Sequence, residues 1–251
     1  YVMMEKGSIY YKISLIEIDY MAVLLSAICH DLKHPGIGNP YIINSKHEIA
    51  MIYNGKIFLI WDNSPLENYH LAECFKIINN QETNILQHFS ASEYRLIRKR
   101  MIECILSTDM TFHNKFYTSL KNKISVAEIV NGENVSKIID DSDSNKKFDN
   151  QQLVLNMLLH SADISNPAKL SKVYKKWVDL VFIEFFYQGD CEKIEQLPIS
   201  MLCDRETTNI AKAQIGFIKF VLKPTFDILK IIFPEMNGYI EFISKNLKMY
   251  E

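Results

Sequence analysis

The chain has 251 residues, 48% of them hydrophobic and 23% charged, with a formal net charge of −2. That length and apolar content suffice for a sizeable core, and the balanced charge excludes the basic field that nucleic-acid binding needs. The five cysteines, Cys29, Cys74, Cys104, Cys191 and Cys203, are odd in number and scattered, with no C-x-x-C; this argues against a disulfide framework or zinc knuckle and for a reducing compartment.

Gly and Pro are few, strand-like alternation is scarce, and helical periodicity runs nearly throughout. In chain order, helices are predicted near 14–30, 40–53, 66–80, 91–108, 111–124, 151–162, 167–187, 205–222, 224–232 and 235–249. The apolar run "YMAVLLSAIC" (20–29) in the first is too short to span a bilayer. That helix ends in "CHDLKHPG" (29–36), where His30, Asp31 and His34 gather at the edge of an apolar stretch. Burying such groups is costly unless they are paired or hold a metal; the alternative is a helix cap with local hydrogen bonds.

"SPLE" (64–67) reads as a capping box, with Ser64 as N-cap, Pro65 at the first helical position and Glu67 at the third. "LENYH" sets Glu67 and His70 three apart on one helix face. "SASE" (90–93) repeats the capping logic, and "STDMTFH" (107–113) brings Thr108 and Asp109 to a helix junction, where a cap is the ordinary reading. Residues 131–150 are polar and predict a mobile surface loop within a single domain spanning 1–251. In "LLHSADISNP" Asp163 follows an apolar run and needs a partner, while Asn166-Pro167 can start the next helix. "AQIGFIKF" puts Gln214 and Phe217 at i, i+3, either a base-reading amide beside a stacking ring or a solvated Gln beside a core Phe.

In this order "SAICHDLKHPGIGN", "LENYHLAECFKII", "LSTDM", "LLHSADISNP", "KWVDLVFIEFFYQGD" and "AQIGFIKFVLKP" resemble the catalytic domain of class I cyclic-nucleotide phosphodiesterases, here expected to be protozoan. The resemblance implies a compact all-α fold of the HD type that hydrolyses the 3′ ester of cAMP or cGMP. It implies two divalent ions, zinc at the tighter site and magnesium or manganese at the other. By motif, His30, Asp31 and Asp163 correspond to metal ligands, with Asp31 bridging the ions. His34 corresponds to the histidine that supports the metal-bound waters, and Glu67 and Thr108 to residues near the second ion's water shell, with Asp109 and His70 in its surroundings. Gln214 corresponds to the purine-binding glutamine, Phe217 to the stacking ring and Val181 to the opposite wall. Asn166 corresponds to a base contact, and Phe185 and Met201 to pocket lining.

The family's H-N-x-x-H motif, which carries the general acid and a fourth ligand, does not occur in residues 1–29, and Tyr1 rather than Met opens the sequence. The chain is therefore expected to be truncated at its N-terminus and nearly inactive alone. Its parent is expected to be active, to face the cytoplasm and to be tethered to a membrane, where it is so, through regions outside these residues. A catalytically silent cyclic-nucleotide-binding module and another HD-type nucleotide phosphohydrolase are the alternatives. The choice between adenine and guanine stays open, because a glutamine amide can turn to suit either.

Overall fold

The structure is a computed structural model that describes residues 13–53, 64–131 and 142–251. Its elements are α1 (Glu17–Cys29), α2 (Asn39–Asn44), α3 (Glu48–Tyr53), α4 (Pro65–Ile78), α5 (Ala91–Leu106), α6 (His113–Asn131), α7 (Ser144–Asp163), α8 (Ser171–Ile194), α9 (Ile210–Phe217), α10 (Lys223–Ile232) and α11 (Asn237–Tyr250). No strand occurs among the described residues, and none of their helices is long and apolar enough to cross a membrane.

The local signals account for most boundaries. Ser90 and Glu93 form the expected capping box at α5. Gly38 precedes α2, with Asn39-Pro40 in its first turn. The single helix predicted over 40–53 is two, because Lys46 takes the left-handed conformation (φ 55) and interrupts it. Asn166-Pro167 starts only a three-residue 3₁₀ turn, and α8 begins at Ser171. The helix predicted over 205–222 starts later, at Ile210, where the Asn209 side chain accepts from the Lys212 amide. It widens into a π turn at Ile218–Leu222, just before Pro224, which has no N–H to continue the ladder.

The loop expected over 131–150 needs correction. Residues 132–141 lie outside the described residues, but Ser144–Asn150 are helical. The Asp143 carboxylate accepts from the Asn145 amide and caps the helix there, so the polar run "SNKKFDN" is the first two turns of α7. Those turns are anchored through Phe148, whose ring lies 3.7 Å from the Arg100 guanidinium carbon.

Arg100 on α5 is 1% exposed and joins three helices. Its Nε donates to Asp19 Oδ1 of α1 at 2.8 Å, its Nη1 to Gln152 Oε1 at 2.9 Å and its Nη2 to Gln151 Oε1 at 2.9 Å, both on α7. Gln151 Nε2 then donates to the carbonyls of Ile13 and Ser14, tying down the segment before α1. Apolar packing surrounds this polar knot. Ala22, Ile97, Met101 and Ile105 pack on one side, and Val23, Cys104, Leu155 and Leu158 on the other. The result sets α1 and α7 side by side, with His30-Asp31 leaving one and Asp163 ending the other.

Removing Arg100 leaves Asp19 as a buried charge without its partner. Arg100→Ala is expected to lower unfolding free energy by about 3–5 kcal/mol in urea denaturation. Arg100→Lys, which cannot reproduce the three-way fork, is expected to recover less than half of that.

Candidate functional site

The α1 exit is shaped by its own backbone bonds. Leu32 N donates to Cys29 O at 3.1 Å and His34 N to Asp31 O at 3.0 Å, a tight turn past the helix end. Lys33 is left-handed (φ 60), and its Nζ reaches the buried Glu73 carboxylate on α4 at 2.5 Å. Gly36 follows with φ 76, a conformation that glycine adopts without steric cost. Its amide donates to His34 Nδ1 at 3.1 Å.

This turn brings His30 Nε2 within 3.3 Å of both Asp31 Oδ2 and Asp163 Oδ1. The three residues meet the spacing of a metal-ligand group, and Asp31, His34 and His70 form a second such group that shares Asp31. Burial opposes charge on His30, but its hydrogen bonds to Asp163 and Asp31 prevail and push its pKa up to about 10. The same contact with His30 holds Asp31 below the usual carboxylate range. Two acidic side chains facing one imidazole favour positive charge at that point. His30 Nδ1 lies 3.0 Å from the Ala27 carbonyl, so it donates there and leaves Nε2 as the ligand atom. His70 is arranged likewise. Its Nδ1 donates to Leu32 O at 2.8 Å, freeing Nε2, and burial pushes its pKa down. His70 was expected only in the surroundings, yet it stands in the second group, its ring stacked on His34 at 5.6 Å. Oxygen and imidazole donors of this kind suit zinc, magnesium or manganese, so the residues fit a divalent centre.

Glu67 enters from the first turn of α4. The capping box predicted there is absent. Ser64 is left-handed (φ 52) and its hydroxyl donates instead to Asp109 Oδ2 at 2.6 Å. Asn39 takes over the cap. Its Oδ1 accepts from the Leu66 amide and its Nδ2 donates to Glu67 Oε2, both at 3.0 Å. Burial, opposed by the Asn39 hydrogen bond and assisted by the charges of Asp109 and Asp31, lifts the Glu67 pKa to about 7. Asp109 also caps the turn Met110–Phe112 through the Thr111 amide, and Thr108 Oγ1 donates to Ile105 O at 2.7 Å. The hydroxyl of Thr108 is thus held by its own helix.

Asp163 also lines a cleft of about 640 Å³ whose other walls include Asn166, Val181, Phe185, Met201, Gln214 and Phe217. The cleft therefore gathers the four residues expected at the base, Gln214, Phe217, Val181 and Asn166, and the two expected as pocket lining, Phe185 and Met201. Met201 is 87% exposed and stands at the rim, whereas its neighbour Leu202 packs among Phe182, Phe185 and Phe217. The 200–203 turn approaches α8 this closely because residue 189 is Gly; a Cβ there would lie 2.0 Å from Cys203 O. Tyr174, which no motif singled out, donates its hydroxyl to Gln214 Oε1 at 2.6 Å and fixes the amide. Lys169 similarly donates to Asn166 Oδ1 at 2.6 Å while lying over the Trp177 ring. The "KVYKKW" spacing of Tyr174 and Trp177 on the cleft face of α8 was the available signal.

The family model for 3′5′-cyclic nucleotide phosphodiesterase matches residues 1–243. The chain is 30% identical over 236 residues to rat 3′,5′-cyclic-AMP phosphodiesterase 4C, covering 94% of this chain and 41% of that protein. It is 37% identical over 212 residues to a probable 3′,5′-cyclic phosphodiesterase, pde-1, of Caenorhabditis elegans, covering 84% and 28%. The chain thus spans less than half the length of these relatives. The crystal structure of the phosphodiesterase domain of the RhoPDE fusion protein from the choanoflagellate Salpingoeca rosetta superposes with a TM-score of 0.80 at 30% identity, covering 94% of this chain and 69% of that one. The LmjPDEB1 structure with IBMX shares the fold, with a TM-score of 0.84 at 22% identity, covering 99% and 68%. The curated relatives are metazoan and lend no support to a protozoan source.

Glu67 makes a pH prediction for the chelator-treated protein. Its folded pKa of about 7 lies above the ordinary 4.5, so the fold favours the protonated acid. The resulting stabilisation is complete below pH 4.5 and is lost as pH rises through 7. Between pH 5 and 8 the unmodified chain is expected to lose roughly 1–3 kcal/mol more than Glu67→Gln. Urea denaturation of both at each pH checks this.

Proposed function

The chain belongs to the 3′5′-cyclic nucleotide phosphodiesterase family, and on that premise we infer that residues 1–251 form one catalytic domain that hydrolyses the 3′ phosphoester of cAMP or cGMP to the 5′-monophosphate. The observation that carries this reading is the double membership of Asp163. It belongs to the carboxylate–imidazole cluster and also lines the cleft that holds Gln214 and Phe217. A cyclic phosphate at the cluster would leave its base in the cleft.

His30, Asp31 and Asp163 would hold zinc, and the second group, which shares Asp31 and includes His34 and His70, would serve magnesium or manganese, with Glu67 nearby. Bound there, the ions would supply a water acidic enough to attack phosphorus and positive charge for the phosphate oxygens. The chain's own groups do the rest. Asp31, held ionised, orients charge at the cluster. Glu67, its pKa raised to about 7 mainly by burial, would be able to take up or give back a proton at its carboxylate near neutral pH. His70, with its Nδ1 donor already engaged, offers Nε2 only as an acceptor. Phe217 and Val181 clamp the base between a ring and an aliphatic wall. With both amide oxygens engaged by Tyr174 and Lys169, Gln214 and Asn166 present NH₂ donors to the cleft. Adenine N1 and N7, or guanine O6 and N7, accept such donors. Met201, at the rim, and Phe185, in the wall, narrow the entrance. A membrane anchor, where the parent protein has one, would lie outside the described helices, with this domain facing the cytoplasm.

Hydrolysis of cAMP and cGMP by the full-length protein with manganese tests the reading. Asp163→Ala is expected to reduce turnover at least 100-fold, since it removes a ligand that the other donors do not replace. Phe217→Ala is expected to raise KM by about 10-fold or more, the loss of one stacking contact of about 1–3 kcal/mol. Tyr174→Phe releases the Gln214 amide, so KM for both nucleotides is expected to rise by about 3-fold, the cost of one lost hydrogen bond. Turnover unaffected by Asp163→Ala overturns the assignment.

A further inference from the structure

A buried hydrogen-bond cluster on the second half of α8 reaches both sides of the site and has no part in the reading above. Gln188 and Glu192 lie one turn apart on that helix, and both are buried. The Glu192 carboxyl accepts from three donors. Ser200 Oγ lies 2.5 Å and Gln188 Nε2 2.9 Å from its Oε1, and the Ser200 amide lies 2.7 Å from its Oε2. Lys193, the next residue, pairs with Asp204 instead. A carboxyl buried in this way is costly to desolvate, and three directed bonds hold it and its donors in one arrangement. Gln188 also bonds in the other direction. Its Oε1 accepts from the Gly38 amide at 2.7 Å, while its Nε2 lies 3.1 Å from Ser200 Oγ. With Oε1 facing an N–H and Nε2 facing a carboxyl, the amide has one satisfied orientation.

The two segments joined here serve opposite ends of the site. Ser200 opens the turn that Cys203 N closes onto Ser200 O at 3.0 Å, and that turn carries Met201 and Leu202 into the cleft wall. Gly38 is the N-cap of α2, and the next residue, Asn39, caps α4 and donates to Glu67. We propose that Gln188 and Glu192 are positioning residues that hold the cleft rim and the Asn39–Glu67 side of the carboxylate–imidazole cluster at one fixed spacing. The assignment rests on the phosphodiesterase reading, in which one nucleotide spans both ends. Neither residue lines the cleft, so each acts on the nucleotide through Ser200 or Gly38. Glu192 sets where the rim meets the base. Gln188 ties that rim to Gly38, so that a seated base and the phosphate end are registered together.

The test combines cAMP and cGMP kinetics of the full-length protein with amide hydrogen exchange of the segments 36–41 and 199–203. Ser200→Ala loosens the rim alone, so KM is expected to rise by about 3-fold with kcat within about 2-fold of the unmodified protein. Ser200→Thr keeps the hydroxyl donor and is expected to restore KM. Gln188→Met loosens both ends, so KM is expected to rise and kcat to fall by about 10-fold each. Exchange is expected to quicken in both segments of Gln188→Met and only in 199–203 of Ser200→Ala. Should Gln188→Met fail to fold, Glu192→Gln, which keeps the bond from Gly38 to Gln188, is expected to raise KM at least as much as Ser200→Ala with kcat again little changed. Unchanged KM in Ser200→Ala and Glu192→Gln, or unchanged exchange of 36–41 in Gln188→Met, overturns the proposal. Absence of turnover in the unmodified protein counts against the phosphodiesterase reading itself, and the exchange pattern, which needs no turnover, then decides the positioning roles.

Discussion

A single buried guanidinium sets the geometry on which the site depends. Arg100 binds Asp19 near the start of α1 and two glutamines in the first half of α7, so both helices are registered against the same side chain. Each runs on from there through apolar contacts to the opposite end, where α1 delivers His30 and Asp31 and α7 delivers Asp163. A one-residue slip of either helix would turn its last side chain by about 100° and take it out of reach of the others. The polar fork resists such a slip in a way that apolar packing, which tolerates sliding, does not.

At the far end the charge balance runs the other way. Asp31 and Asp163 face each other across an imidazole, and Asp109 adds its charge toward Glu67. Among the described residues no lysine or arginine forms an ion pair with Asp31 or Asp163, although Lys169 is near enough to Asp163 to feel its charge. Lys33 turns away to Glu73, and Lys169 serves Asn166 and Trp177. The described residues thus collect acids at a point where no lysine or arginine pairs with them, and hydrogen bonds to Asp163 and Asp31 raise the pKa of His30. Such an arrangement is costly in a purely structural module and natural in one that holds divalent ions.

The sequence revealed the parts whose chemistry is local. "HDLKHPG", "SADISNP" and "AQIGF" are short stretches whose roles came from the family resemblance, each being open to a plain capping or core reading alone, and the structure brings their residues to one cluster and the cleft beside it. Features that depend on distant partners were illegible. Ser64 looked like a cap because three residues matched a capping box, but its hydroxyl prefers Asp109, 45 positions away, and Asn39 caps α4 from another helix. Met201 lines the cleft as expected but only at its rim, because the left-handed backbone at Leu202 (φ 69) and the space left by Gly189 turn Leu202 inward beside it. The polarity of 144–150 suggested a loop because nothing local shows that Phe148 will find Arg100 on α5.

The measurement that bears most directly on this account is calorimetric titration of zinc into the chelator-treated protein at pH 7.5, in buffers of different ionisation enthalpy. If the cluster is a metal centre, a divalent ion must displace the proton that His30 holds with a pKa near 10. The account predicts tight binding with about one proton released per ion, both lost in Asp163→Ala. Zinc binding without proton release, or binding unchanged by Asp163→Ala, would contradict it.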